Sequence, residues 1–178
     1  EPPMPSLLRG FSAPVKVRFD YSDADLLFLM AHDSDGFNRW EAAQTLAQRL
    51  LLAWVEEPGQ PLPAGFFEAG RRALTDVRVE PALIAEILTL PSESYLGDQM
   101  ALVAVEAIHQ AREALMTRLG RELSGEFRAG YDRHQDSGPY EPSPEAMGLR
   151  ALKNLCLGYL VAAGEGEALG LGRDQFAA

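Results

Sequence analysis

"AVEAIHQAREALMTRLGRELSGEFRAGYDRH", residues Ala104 to His134, carries apolar side chains at near-regular fours. Val105, Ile108, Leu115, Leu119, Leu123, Phe127 and Tyr131 fall on one side of a helix, with Arg112 completing the stripe. The spacing predicts one continuous helix, roughly 30 residues and about 45 Å long at 1.5 Å per residue. It is the expected spine of the domain.

The neighbouring segments read the same way. "QDSGPYEPSP" (135–144) breaks the spine, and Leu149, Leu152, Leu155, Cys156 and Tyr159 then form another apolar face that runs to Gly164. Upstream, Pro81 sits at a first-turn position ahead of Leu83, Ile84, Ile87 and Leu88, a short helix expected to end near Pro91. Phe66, Phe67, Gly70 and Leu74 mark another, separated by the breaker "EEPGQPLP" (56–63) from a longer one. That longer helix is capped by Ser34 or Asp35 and has Phe37, Trp40, Ala43, Ala47, Leu50 and Trp54 on its apolar face. Ser22 caps the first helix, with Asp23 and Asp25 in its first turn and Leu26, Leu27, Leu29 and Met30 buried up to about His32. Successive helices with short connections define a mainly α fold, a multi-helical α-α superhelix or irregular bundle. No repeat of fixed period is visible.

One segment departs from this pattern. Val15, Val17, Phe19 and Tyr21 alternate with Lys16, Arg18 and Asp20, the period of a half-buried strand. A lone N-terminal strand cannot satisfy its ladder hydrogen bonds, so its partners are expected outside this sequence. At the other end "EALGLGRDQFAA" (167–178) enters a helix with no closing cap. Both ends therefore carry the expectation of a piece cut from a larger protein, with apolar surface left exposed.

Composition bounds the function. The 178 residues, 47% hydrophobic and 24% charged, suffice for a real core. Net charge is −10, from 16 Lys and Arg against 26 Asp and Glu, and the basic residues form no stripe. Nucleic acid and anionic membranes are thereby disfavoured as partners. No signal-peptide pattern or membrane-length apolar run is present, and the single cysteine, Cys156, excludes an internal disulfide. The expected compartment is the cytoplasm.

Chemistry is nearly silent. His32, His109 and His134 are the only imidazoles, and no HExxH pair occurs. Cys156 lies inside an apolar stripe and reads as a small buried hydrophobe rather than a nucleophile. Glu56, Glu57 and the "GEGE" turn (164–167) read as solvated charge, since paired-carboxylate catalysis needs two acids facing across a cleft. Neither "LRGFS" (8–12) nor "GLGRD" (170–174) has the strand, glycine turn and helix start of a phosphate loop. Trp40 and Trp54 are expected in the core. No catalytic, cofactor-binding or metal-ligating residue is assigned.

"PSLLRGFSAPVKV" (5–17), "FLMAHDSDGFNRWEAAQTL" (28–46), "PALIAEILTLPSESYL" (81–96) and "LRALKNLCLGYL" (149–160), in that order and spacing, resemble the bacterial aminopeptidase N family of zinc metallopeptidases. The similarity runs from about Pro5 to Phe176. The resemblance implies a parent of four parts: an N-terminal β domain, a thermolysin-like catalytic domain, a small β-sandwich and a large helical C-terminal domain. Residues 1–21 would then be the last strand and linker of the sandwich, and residues 22–178 the first part of the helical domain. The family's HExxH helix, downstream glutamate and GxMEN loop have no counterpart here, so zinc belongs to the parent and none to this segment. Its implied partners are the parent's catalytic domain and, through the parent, peptide substrates. The alternative is an autonomous helical interaction module, which should have polar capped ends and no orphan strand.

Overall fold

The computed structural model describes residues 4–11, 15, 17–135 and 140–177. A 3₁₀ turn at Arg9–Phe11 precedes α1 (Asp23–His32), α2 (Gly36–Glu56), α3 (Phe66–Thr75), α4 (Pro81–Leu88), α5 (Glu93–Gly97), α6 (Val105–Glu122), α7 (Ser124–Arg133), α8 (Pro144–Ala163) and α9 (Ala168–Ala177). The mainly α expectation is borne out.

Local sequence explains most of the helix boundaries. Ser22 and Asp25 form a reciprocal capping box, the Asp25 N–H donating to Ser22 Oγ at 3.2 Å and the Ser22 N–H to Asp25 Oδ2 at 2.9 Å. Asp35, Ser92 and Ser143 cap α2, α5 and α8 with a single bond each, their side chains accepting the N–H of Asn38, Tyr95 and Ala146. Each such cap stabilises its helix by about 1 kcal/mol. Pro81 and Pro144 occupy first-turn positions, where the missing N–H costs nothing. Gly164 ends α8 in the left-handed region at φ 78°, where a side chain would be strained.

The helices stack in two rows. α1, α3 and α7 lie side by side in one row, while α2, α4 and α8 form the other, with α6 laid across α2 and α8. α8 is the shared element, touching α4, α6, α7 and α9. Its Leu152, Cys156 and Tyr159 are sealed from solvent, and the Tyr159 ring stacks on Phe127 with centroids 4.4 Å apart. The Tyr159 hydroxyl donates to the Leu88 carbonyl at 2.7 Å, satisfying an end of α4 inside the core. α6 approaches α8 closely because residue 120 is glycine: a Cβ there would collide with the Tyr159 carbonyl oxygen and come within 3.1 Å of the Ala163 Cβ.

Several expectations need correction. The strand over Val15–Tyr21 does not form: its described residues belong to no ladder, and Val15, Val17 and Phe19 are exposed. The alternation is real, but with no partner chain beside it the backbone turns locally instead, the Tyr21 N–H donating to the Phe19 carbonyl at 3.1 Å. Lys16 lies outside the described residues. The single helix over 104–134 is two helices, broken at Leu123 (φ −116°, ψ 22°). Gly120, Ser124 and Gly125 weaken helix propensity around the break, and bending there seats both halves on α8. α5 follows Pro91, where no further helix was expected before the spine. Trp54 is buried as expected, whereas Trp40 is only half-buried and Leu149 is exposed.

Candidate functional site

The residues of "LRGFS" do hold anionic groups, but these belong to the protein. The 3₁₀ turn is strapped to the corner between α1 and α2. Ser6 Oγ donates to Asp33 Oδ2 at 2.6 Å, Arg9 Nη1 to Asp33 Oδ1 at 2.9 Å, Arg9 Nη2 to Ser34 Oγ at 2.6 Å and the Gly10 N–H to Asp35 Oδ2 at 2.8 Å. The Asn38 N–H, opposed by burial and aided by the Gly10 N–H and Arg9, holds the Asp35 carboxyl below the usual carboxylate range. Leu8 is held at φ 53°, a conformation costing a leucine about 1–2 kcal/mol, between the Ser6 and Arg9 anchors. Every acid at this corner already has a partner. Ser12 lies outside the described residues.

A second polar node lies inside. Arg39, 3% exposed, donates from Nε to the Met30 carbonyl and from Nη1 to Asp76 Oδ2, both at 3.0 Å. It closes the end of α1 and ties α2 to the turn after α3. Arg78 also grips Asp76 through Nε and Nη2. The Arg78 hydrogen bond, opposed by burial and aided by the Arg78 N–H and Arg39, holds the Asp76 carboxyl far below its ordinary value. All three residues look like ordinary charges in the sequence.

The imidazoles sit on three separate elements. His32 is exposed at the end of α1 beside Phe28. His109 Nδ1 lies 2.8 Å from Glu93 Oε1, and that hydrogen bond, then the Glu93 charge, raises its pKa. His134 Nδ1 is bonded to the Gly130 carbonyl. Among the described residues no three His, Cys, Asp or Glu side chains are grouped to hold a metal ion. This donor set does not fit a zinc ion. Burial pushes the Cys156 thiol up to about 12, opposite to what a thiolate nucleophile needs. Glu57 accepts from Gln60, and Glu167 pairs with Arg128 at 3.1 Å. "GLGRD" lies within α9.

The surface is more informative. A groove of about 350 Å³ runs between α8 and α9, walled by Val161, Leu169, Gly172 and Phe176, with Leu169 and Phe176 exposed. A cleft of about 340 Å³ lies between the end of α3 and α7, bordered by Thr75, Glu126, Arg133 and His134. The segment joining α5 to α6 exposes Leu102 and Val103, and the first residue of α6, Val105, is exposed beside them in the chain. Its signal in the sequence is an unbroken apolar run from Met100 to Val105 that precedes a helix instead of lying on one face of it. The first groove is largely apolar, and in the second the hydroxyl, carboxylate and imidazole are each held by another group: Thr75 Oγ1 donates to the Arg71 carbonyl, Glu126 pairs with Arg71 and His134 is bonded to the Gly130 carbonyl, so no nucleophile faces a base.

A two-row stack of short helices around one apolar core, lacking a catalytic constellation among its described residues, defines a helical-repeat scaffold. Residues 23–178 match the family described as "Domain of unknown function (DUF3458_C) ARM repeats", and the chain belongs to that family. It is similar to aminopeptidase N of Escherichia coli (strain K12), 41% identical over 162 residues that make up 89% of this chain and 18% of that protein. Aminopeptidase N of Caulobacter vibrioides is 41% identical over 159 residues, 88% of this chain and again 18% of the relative. The crystal structure of Legionella pneumophila aminopeptidase A in complex with aspartic acid superposes with a TM-score of 0.81 at 32% identity, covering 94% of this chain and 20% of that one. The chain thus spans 18% of the length of the curated relatives it matches. The resemblance to the aminopeptidase N family is borne out over nearly all of the chain. No helix among the described residues is long and apolar enough to cross a membrane.

Proposed function

We propose that this chain is a non-catalytic helical segment of a zinc-dependent aminopeptidase N, a cytoplasmic enzyme that removes N-terminal residues from peptides. Residues 1–21 would end a β-sandwich and residues 22–178 begin the C-terminal helical domain. Packed against the catalytic domain of the same polypeptide, the segment helps enclose the active-site cavity and so limits which peptides enter. The observation that carries this reading is the agreement of 94% of the chain with 20% of a much longer aminopeptidase. Hydrolysis needs zinc ligands, a base and an oxyanion partner within one cleft, and this chain's histidines stand on three separate elements. The zinc and its chemistry are therefore assigned to the catalytic domain. No step is assigned to residues of this segment.

The test is hydrolysis of an alanyl chromogenic amide, with bound metal measured alongside. The 178-residue chain is expected to show no turnover and no stoichiometric zinc. A longer polypeptide carrying it behind a thermolysin-like domain is expected to turn over. Zinc-dependent turnover by the chain alone would overturn the proposal.

A further inference from the structure

We infer that the α5–α6 connection is a docking surface for another folded domain of the same polypeptide, one that offers an apolar pocket rimmed by lysine and arginine. The inference rests on the reading above, and assigns the contact to particular residues.

Leu102 is 85% exposed, Val105 68% and Val103 51%, and the three lie within four consecutive positions. Single exposed apolar residues are ordinary on a protein surface, but a contiguous group marks a surface meant to be covered. The segment is held in shape rather than left to collapse. The Gln99 and Met100 N–H groups donate to the Leu96 and Gly97 carbonyls at 3.1 and 3.0 Å, and Val103 packs directly on Gly97. On the far side the Ile108 N–H donates to the Ala104 carbonyl at 2.9 Å, so Val105 at the edge of the tip is already the first residue of α6. A rigid apolar tip loses little conformational freedom on docking.

The charge around the tip identifies the partner's chemistry. From Val79 to Ala111 the sequence holds no lysine or arginine, while Asp98 and Glu106 flank the tip and are both exposed. An apolar centre with an acidic border fits an apolar pocket with a basic one. The chain carries net charge −10, so a second copy would bring acid against acid. Over four-fifths of each curated relative lies outside the matched 18%, which makes another domain of the same polypeptide the favoured occupant over a separate protein.

The experiment is thiol labelling of Leu102→Cys, read at that position by mass spectrometry. Cys156 is fully buried, so position 102 supplies the reactive thiol. Labelling is compared between the 178-residue chain and a longer polypeptide with the catalytic domain, with Glu122→Cys on an exposed helix face as control. At least tenfold slower labelling at 102 in the longer polypeptide, unchanged rates at 122, and at least threefold recovery on adding Asp98→Lys and Glu106→Lys are expected. Equal rates at 102 in a peptidase-active polypeptide would overturn the docking surface and leave the reading of the parent intact. Protection at 102 in an inactive polypeptide would keep the docking surface and count against the peptidase reading. Protection that rises with concentration in the chain alone would assign the tip to a second copy and overturn the inference. Equal slowing at 102 and 122 would also overturn it.

Discussion

Adding one methyl group at Gly120 tests the way α6 meets α8. An alanine Cβ there would strike the backbone carbonyl oxygen of Tyr159 and press on the Ala163 Cβ. Tyr159 cannot yield cheaply, because its ring is stacked on Phe127 and its hydroxyl is bonded to Leu88. Alanine favours a helix interior over glycine by about 1 kcal/mol. Forced overpacking costs about 1–3 kcal/mol, and a backbone obstacle puts this site at the upper end. The net destabilisation expected for Gly120→Ala is about 2 kcal/mol, a fall in Tm of about 4–8 °C for a chain of this size. Gly125→Ala is the matched control: its Cβ meets nothing within 4 Å, so the propensity gain should stand alone and raise Tm by about 2 °C. Thermal melts followed by far-UV circular dichroism and calorimetry measure both. A neutral or stabilising Gly120→Ala, or equal shifts at the two glycines, would refute the close approach of these helices.

Leu119→Ala, one position before Gly120 and 5% exposed, should cost about 3 kcal/mol in urea unfolding, and Trp40→Ala about half as much because Trp40 is only half-buried. Asp76 has its folded pKa depressed, so its stabilising contribution is present above the unfolded pKa near 4 and is lost as pH falls toward the folded value. Unfolding free energy should therefore decline below about pH 4, and Asp76→Asn should flatten that decline; an unchanged slope would mean the Arg39–Asp76–Arg78 node does not form. Cys156, its pKa raised to about 12 by burial, should stay unmodified by a thiol reagent at pH ~8 in the folded chain and react on unfolding. Rapid native modification would place it at the surface.

Most helix starts were legible because they depend on a few adjacent residues: Ser22 with Asp25, Asp35 before its apolar run and Pro81 in a first turn. The core faces followed from periodicity, since Leu26, Leu50, Leu115 and Tyr159 recur where a buried stripe requires them. The break at Leu123 was hidden because the apolar stripe passes through it in register; the bend is fixed by α8, which lies far along the chain. α5 was hidden by Pro91, which reads as a stop although Ser92 behind it is a cap. The alternation at Val15–Tyr21 states a strand's side-chain pattern, but a ladder needs a neighbour. The polar nodes escaped for a similar reason: Arg39 finds Asp76 and Arg9 finds Asp33 only after folding. The exposed run at Leu102 was visible as residues, and only its lack of a covering element within the structure gives it meaning.

The position of α8 also sets an order on synthesis. A chain made from its N-terminus can pair α1 with α2 and lay α3 beside α1 as soon as those segments emerge. α4, α6 and α7, by contrast, share a central partner that is translated after all three of them. At roughly 5–20 residues per second, they wait seconds with Phe127 and the α6 stripe uncovered. During that interval those apolar faces stand open to solvent, and the arrival of Tyr159 covers Phe127.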